Sequence, residues 1–400
     1  MSETQANVSR RVRWFVAASV CFLVAWQVAA VAGLPESVGV RLGVYGFVLH
    51  AAFGQAYSLV PAYFEAKLDS AAPLAAQFPA TALGTLLLAA AAARPSIAVA
   101  GIGLAGIGGA LWLVGVAVFV ATLLWTIRDN LSGRRTGTGD HNAHRRALDR
   151  LANAFVPIAL AYLLVGSYAT AASSTPLPPL LDGYLPRAVH LLAAGTGALL
   201  VFAIGFRLLP RLLVATPPRP LAWLVLPTGA VGPALLATGI GTSRLLVGAA
   251  IEAVAVVGFA LAVAALLHRS DRERVGRHGV GIGALSGILG ISLGLHFATA
   301  GPTATLAAVH ARLNVLGFLG LTIVGVFYHF YPPAVGRLPG AGDRLAAASI
   351  AAIAVGLALE VVGAVAAVEL AVTVGRGGTL VGSLLVAYVL GAAFRASANR

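Results

Sequence analysis

Histidine offers the most chemistry in this sequence: nine occur, against a single cysteine. His190, His296 and His310 fall at the ends of long apolar runs, all on one side of the bilayer they would cross. His50 lies eleven residues before Pro61, near the middle of such a run. Neutral imidazole is the usual ligand for haem iron and for copper, so three rings from three helices could hold a cofactor. The competing reading leaves histidines at helix ends solvated at the interface. At the depth of His50 a polar group is costly, which marks either function or a buried, hydrogen-bonded packing role. Two carboxylates, Glu252 and Glu360, also fall within apolar runs and read as proton-relay groups or as protonated structural groups. Arg41 and Arg312 either snorkel to the surface or meet an anion such as a haem propionate or an anionic substrate. His329, in the string YHFYPP, reads with Tyr328 and Tyr331 as part of an interfacial aromatic belt.

These residues need a frame that places them. Hydrophobic residues make up 59% of the 400-residue chain and charged ones only 10%, the composition of a polytopic membrane protein. About 20 apolar residues cross the hydrocarbon layer as a helix. The runs that qualify are 13–33, 39–64, 75–93, 98–127, 151–172, 186–210, 221–240, 244–268, 279–299, 304–332, 345–368 and 373–395. No strand-like alternation is present, which argues against a β-barrel. The expectation is one all-α integral membrane domain over residues 1–400.

The net charge of +13 invites a nucleic-acid reading, but topology accounts for it better. With both termini cytoplasmic, the inner loops carry most of the basic residues, among them Lys67, Arg134, Arg135, Arg145, Arg146, Arg211, Arg272 and Arg274. The outer loops keep only Arg41, Arg94, Arg187, Arg244 and Arg376. This is the positive-inside asymmetry of a multi-pass protein of the cell membrane, whose partner is the lipid bilayer and not nucleic acid. The basic stretch 128–150 reads as a solvated cytoplasmic loop; His141 and His144 there lack a third metal ligand nearby. The lone Cys21 permits no disulfide within the chain and no c-type haem attachment motif. Glycine-rich stretches at 101–109 and 276–290 read as helix-packing surfaces, because no strand precedes them and no lysine follows as a phosphate loop requires.

One pattern returns three times. Aligned on Pro61, Pro210 and Pro332, the residues four back are Tyr57, Phe206 and Tyr328, and those fifteen back are Gly46, Gly195 and Gly317. Twenty back stand Arg41, His190 and Arg312. The pattern falls on the second, sixth and tenth runs, as three pseudo-symmetric four-helix units would require.

The tenth run, HARLNVLGFLGLTIVGVFYHFYPP at 310–333, resembles the tenth helix of haem–copper oxidase subunit I, particularly its cbb3-type and shorter members. That family also has twelve helices in three four-helix arcs, with key helices two, six and ten. The resemblance implies His310 as a haem ligand, with His190 or His296 opposite or nearby. The second histidine of the family's tenth-helix pair is here Arg312, and its helix-two ligand falls near Arg41, with His50 about three turns deeper. The family's copper-binding histidine pair on helix seven has no counterpart in 221–240, so copper is not expected. The resemblance thus implies one haem in an incomplete cofactor set and a redox or O2/NO-related role. If the protein is an enzyme, it would be a haem-dependent oxidoreductase, and its partners would be respiratory-chain subunits or a small redox protein. A transporter or permease using Arg41, Arg312, His50 and Glu252, or a non-catalytic accessory protein of a respiratory complex, are the alternatives.

Overall fold

The computed structural model describes residues 3–335 and 338–398. Among them are twelve helices long and apolar enough to cross a membrane. They are α1 (Gln5–Val31), α2 (Glu36–Tyr63), α3 (Ala72–Ala93), α4 (Leu104–Asn130), α5 (Asp140–Ala172) and α6 (Leu185–Leu212). The second half holds α7 (Arg219–Gly239), α8 (Leu245–His268), α9 (Gly276–Ala300), α10 (Ala304–Phe330), α11 (Asp343–Val365) and α12 (Glu369–Ala396). The protein is an all-α polytopic membrane protein. The run expected from residue 98 becomes helical only at Leu104, because Ala98–Val99 (β1) and Ile102–Gly103 (β2) pair around a turn with positive φ at Ala100 and Gly101.

The packing order has threefold character. In each four-helix unit the third and fourth helices form a hairpin: α3 with α4, α7 with α8, α11 with α12. The fourth helix of each unit then packs on the first helix of the next, α4 on α5, α8 on α9, and α12 back on α1. First helices also touch third helices, so α1, α3, α4, α5, α7, α8, α9, α11 and α12 make a closed outer ring. The proline-ended helices α2, α6 and α10 stand inside it and touch one another.

The repeated glycines explain how the inner helices approach the ring. A Cβ on Gly46 would come within 2.5 Å of Phe22 on α1, one on Gly195 within 2.5 Å of Tyr162 on α5, and one on Gly317 within 2.6 Å of Ser286 on α9. Each is a contact between the second and first helices of one unit. Lipid supplies no hydrophobic drive for helix association, so close backbone approach at small residues carries the packing. The repeated aromatic also works within its unit: Tyr57 donates to Gln77 Oε1 on α3 at 2.7 Å, and the Tyr328 and Ser349 hydroxyls on α10 and α11 meet at 2.6 Å.

A third shared feature could not be read from residue types. Arg41–Val48, Leu191–Ala198 and Leu313–Gly320 are all π-helical, at the same height above the proline to within one residue in the three inner helices. Such widened turns are rare and gather at functional sites.

The 128–150 stretch departs from the expected solvated loop. Asn130, Thr136, Thr138 and Asp149 are buried. Asp149 takes a two-pronged grip from Arg211, with contacts of 3.1 and 2.5 Å, and also accepts from Thr138. Arg207 donates to Asn153 Oδ1 at 2.6 Å and to the Tyr63 carbonyl at 3.1 Å, with its guanidinium 3.9 Å from the Tyr63 ring centre. Arg211 thus ties the end of the segment to α6, and the Asn130 amide donates to the Phe64 carbonyl just past α2 at 3.0 Å.

Candidate functional site

The position twenty residues before each proline lies at the end of the bundle opposite those prolines, at one corner of each unit. Arg41, His190 and Arg312 meet three different surroundings there.

At the third corner Arg312 is only 4% exposed. Its Nε and Nη2 reach Glu360 Oε2 on α11 at 3.0 and 2.7 Å. Nη2 also donates to Gln27 Oε1 on α1 at 2.9 Å, and the guanidinium lies 4.9 Å from the Trp26 ring centre. Arg376 on α12 approaches the other Glu360 oxygen at 3.3 Å. Arg312 does not snorkel to the surface; its charge is met by a carboxylate inside the protein.

At the second corner His190 on α6 faces His310 on α10. Their ring centroids are 6.4 Å apart, with planes 27° from parallel. His190 Nδ1 lies 2.7 Å from the Pro186 carbonyl and His310 Nδ1 lies 2.9 Å from the Gly290 carbonyl on α9. A carbonyl only accepts, so His190 Nδ1 carries the proton. His310 Nδ1 also lies 3.3 Å from the Asn314 amide nitrogen, and its shorter contact to the Gly290 carbonyl favours the same tautomer, with the lone pair on Nε2. Metal-binding imidazoles are oriented in this way by a backbone oxygen. Asn314 adds a 2.8 Å hydrogen bond from its side chain to the His310 carbonyl, bracing the turn that carries the ring.

The remaining candidates lie elsewhere. His296 is exposed at the end of α9, and its neighbour Phe297 is the residue that meets the His310 ring, at 5.4 Å. His50 is fully buried among Phe15, Phe22, Phe53 and Trp112, with Nδ1 donating to the Tyr45 carbonyl at 2.9 Å and Nε2 without a partner. That acceptor is five residues back along α2, within the π-helical turn. Glu252 on α8 is buried against Gly232 of α7, with Oε2 unpartnered. Among the described residues no three His, Cys, Asp or Glu side chains cluster as a metal site. The repeat nominated His190 and the tenth run nominated His310, which the fold sets face to face; neither signal could single out Gln27 or Arg207.

At the first corner Arg41 is half-buried beside a cavity of about 60 Å³ between α2, α3, α4 and α5. Its hydrogen bond runs to the Ser37 carbonyl of its own helix at 3.2 Å. In the adjoining loop Asp182 is exposed and engaged by Arg187 at 3.0 Å; the Tyr184 backbone N–H and Arg187 hold its carboxyl below the usual range.

A second cavity, about 90 Å³, lies where the inner helices meet. Its walls come from matching positions of the repeat: Ala52, Val201 and Ile323 nine residues before the prolines, and Gln55, Ile204 and Val326 six before them. It is almost wholly apolar, and it is smaller than the 300–1,000 Å³ typical of sites for drug-sized ligands.

No protein-family model matches this chain, and no curated protein matches it either.

Proposed function

We propose that this is a haem-binding membrane protein on a frame like that of haem–copper oxidase subunit I, serving O2- or NO-related redox chemistry or sensing. The observation that supports this reading is the facing pair His190 and His310, each with Nδ1 tied to a carbonyl and Nε2 free. His190 and His310 would be the residues that hold the group, their rings facing each other at 6.4 Å. Neutral imidazole is a donor that would suit haem iron. When bound, a haem would supply electron transfer or the binding of a diatomic gas. The protein's part is to orient the rings: the Pro186 and Gly290 carbonyls fix the tautomers, and Asn314 braces His310. The apolar axial cavity has room for a diatomic gas and little affinity for ions.

A permease path would have to string together Arg41, Arg312, His50 and Glu252. Arg41 faces α3 to α5, Arg312 faces α11 and α1, His50 faces α1 and α4, and Glu252 faces α7, so no single path joins them. In the proposed setting the protein lies in the cell membrane with both termini cytoplasmic, beside respiratory-chain subunits or a small redox protein.

The test is the absorption spectrum of the purified protein after haem-replete expression. A Soret band that disappears in His310→Ala and changes spin state in His190→Ala is expected. A protein that folds and shows no Soret band would overturn the reading.

A further inference from the structure

The internal symmetry lets one corner be read against another. Where α11 crosses α12, a Cβ on Gly356 would meet the Gly375 carbonyl, and one on Gly375 would meet the backbone of Glu360. Where α3 crosses α4, a Cβ on Gly84 would meet the Gly108 carbonyl, and one on Gly108 would meet the backbone of Leu88. The two crossings are equivalent, and they set Leu88 where the other unit has Glu360. The second basic residue, Arg376, follows Gly375; its counterpart after Gly108 is Gly109. The first corner therefore keeps the arginine of the third corner and lacks its carboxylate.

The space left is not filled by protein. Leu88 lines the cavity beside Arg41, together with Thr170, Ser173 and Ser174 of α5 and its C-terminal cap. The Ser174 hydroxyl makes no hydrogen bond among the described residues, and no carboxylate there pairs with Arg41. The start of α6 at Leu185 reaches the same cavity, where Pro186 has no N–H and the Arg187 N–H donates to the Tyr184 carbonyl at 3.0 Å, so Arg41 is the cation that faces the space. Asp182, the nearby acid, is exposed and turned to Arg187.

We propose that the Arg41 corner binds a small planar oxyanion, a carboxylate or nitrite, in the way Arg312 holds the carboxylate of Glu360. A guanidinium presents paired donors to a planar anion, as Arg312 sets Nε and Nη2 on Glu360 Oε2. The volume of about 60 Å³ admits an anion of formate or nitrite size. This inference goes beyond the haem reading and does not depend on it.

Thermal unfolding of the purified full chain, with chloride replaced stepwise by formate or by nitrite at constant ionic strength, is the test. Both anions should raise the midpoint of the wild type in a saturable manner. Apparent affinity should fall at least tenfold in Arg41→Gln and stay unchanged in Arg94→Gln, an exposed arginine just past the end of α3. Leu88→Glu, which supplies the missing carboxylate from within, should abolish the response to added anion. A midpoint that does not distinguish formate from chloride, or a response that survives Arg41→Gln, overturns the proposal. Should Leu88→Glu fail to fold, the Arg41→Gln comparison still decides it.

Discussion

Arg312 and Arg41 occupy the same height on equivalent helices, yet one is locked between three helices and the other rests on a carbonyl of its own turn. The helix frame around them is shared: the same glycine crossings, the same widened turns and the same hairpin behind. What differs is the pair of side chains behind the arginine: Glu360 and Arg376 on the third and fourth helices of one unit, Leu88 and Gly109 in the other. The repeat thus fixes where side chains can meet, and divergence within it decides whether a corner is closed by protein or left for a ligand.

The comparison breaks most severely if the internal carboxylate is removed. Glu360→Ala leaves Arg312 and Arg376 uncompensated and should cost about 3–5 kcal/mol, read by equilibrium unfolding in mixed micelles. The paired replacement Arg312→Met with Glu360→Leu should recover most of that loss, since an apolar pair of similar volume avoids burying charge at all. A Glu360→Ala protein as stable as wild type would show that the corner is hydrated and its charges screened.

The shared frame is tested at the repeated glycines. Gly46→Leu and Gly317→Leu should each destabilise by about 1–3 kcal/mol through overpacking against Phe22 and Ser286. Phe22→Ala should partly rescue Gly46→Leu, and the two glycine variants should lose similar amounts if their units are equivalent. Smaller still is the effect expected of His50→Phe, under about 1.5 kcal/mol in either direction, because the ring keeps its aromatic cage while an unpartnered Nε2 is removed. The Soret band should survive that variant, which separates His50 from the His190–His310 pair. Last comes Arg41→Gln without added anion, expected to shift stability by no more than about 0.5 kcal/mol, since no internal partner is lost.

Much of the frame was legible in the chain itself. Apolar run length marked the twelve crossings, and the recurrence around Pro61, Pro210 and Pro332 marked the three units and their inner helices. His190 and His310 could be nominated together because both fall near the far end of an inner helix. Hydropathy says little about azimuth, however, and azimuth separates Phe297, which meets His310, from His296, which does not. Arg312 read as a surface or cofactor arginine because Glu360 and Gln27 lie 48 and 285 residues away, and only the closed ring brings them within reach. The 128–150 segment read as solvated because it is polar and basic between two apolar runs; folding pairs Asp149 with arginines of α6.

The widened turns set the phase between the two ends of each inner helix. A π turn closes five residues on, where an α turn closes four. Deleting one residue from Leu191–Ala198 would invite that stretch to tighten into an ordinary helix, swinging the residues before it by about 100°. His190 would then point away from His310 while everything beyond Leu199 kept its place. Evolution could retune such a corner by gaining or losing one residue, leaving the rest of the barrel undisturbed.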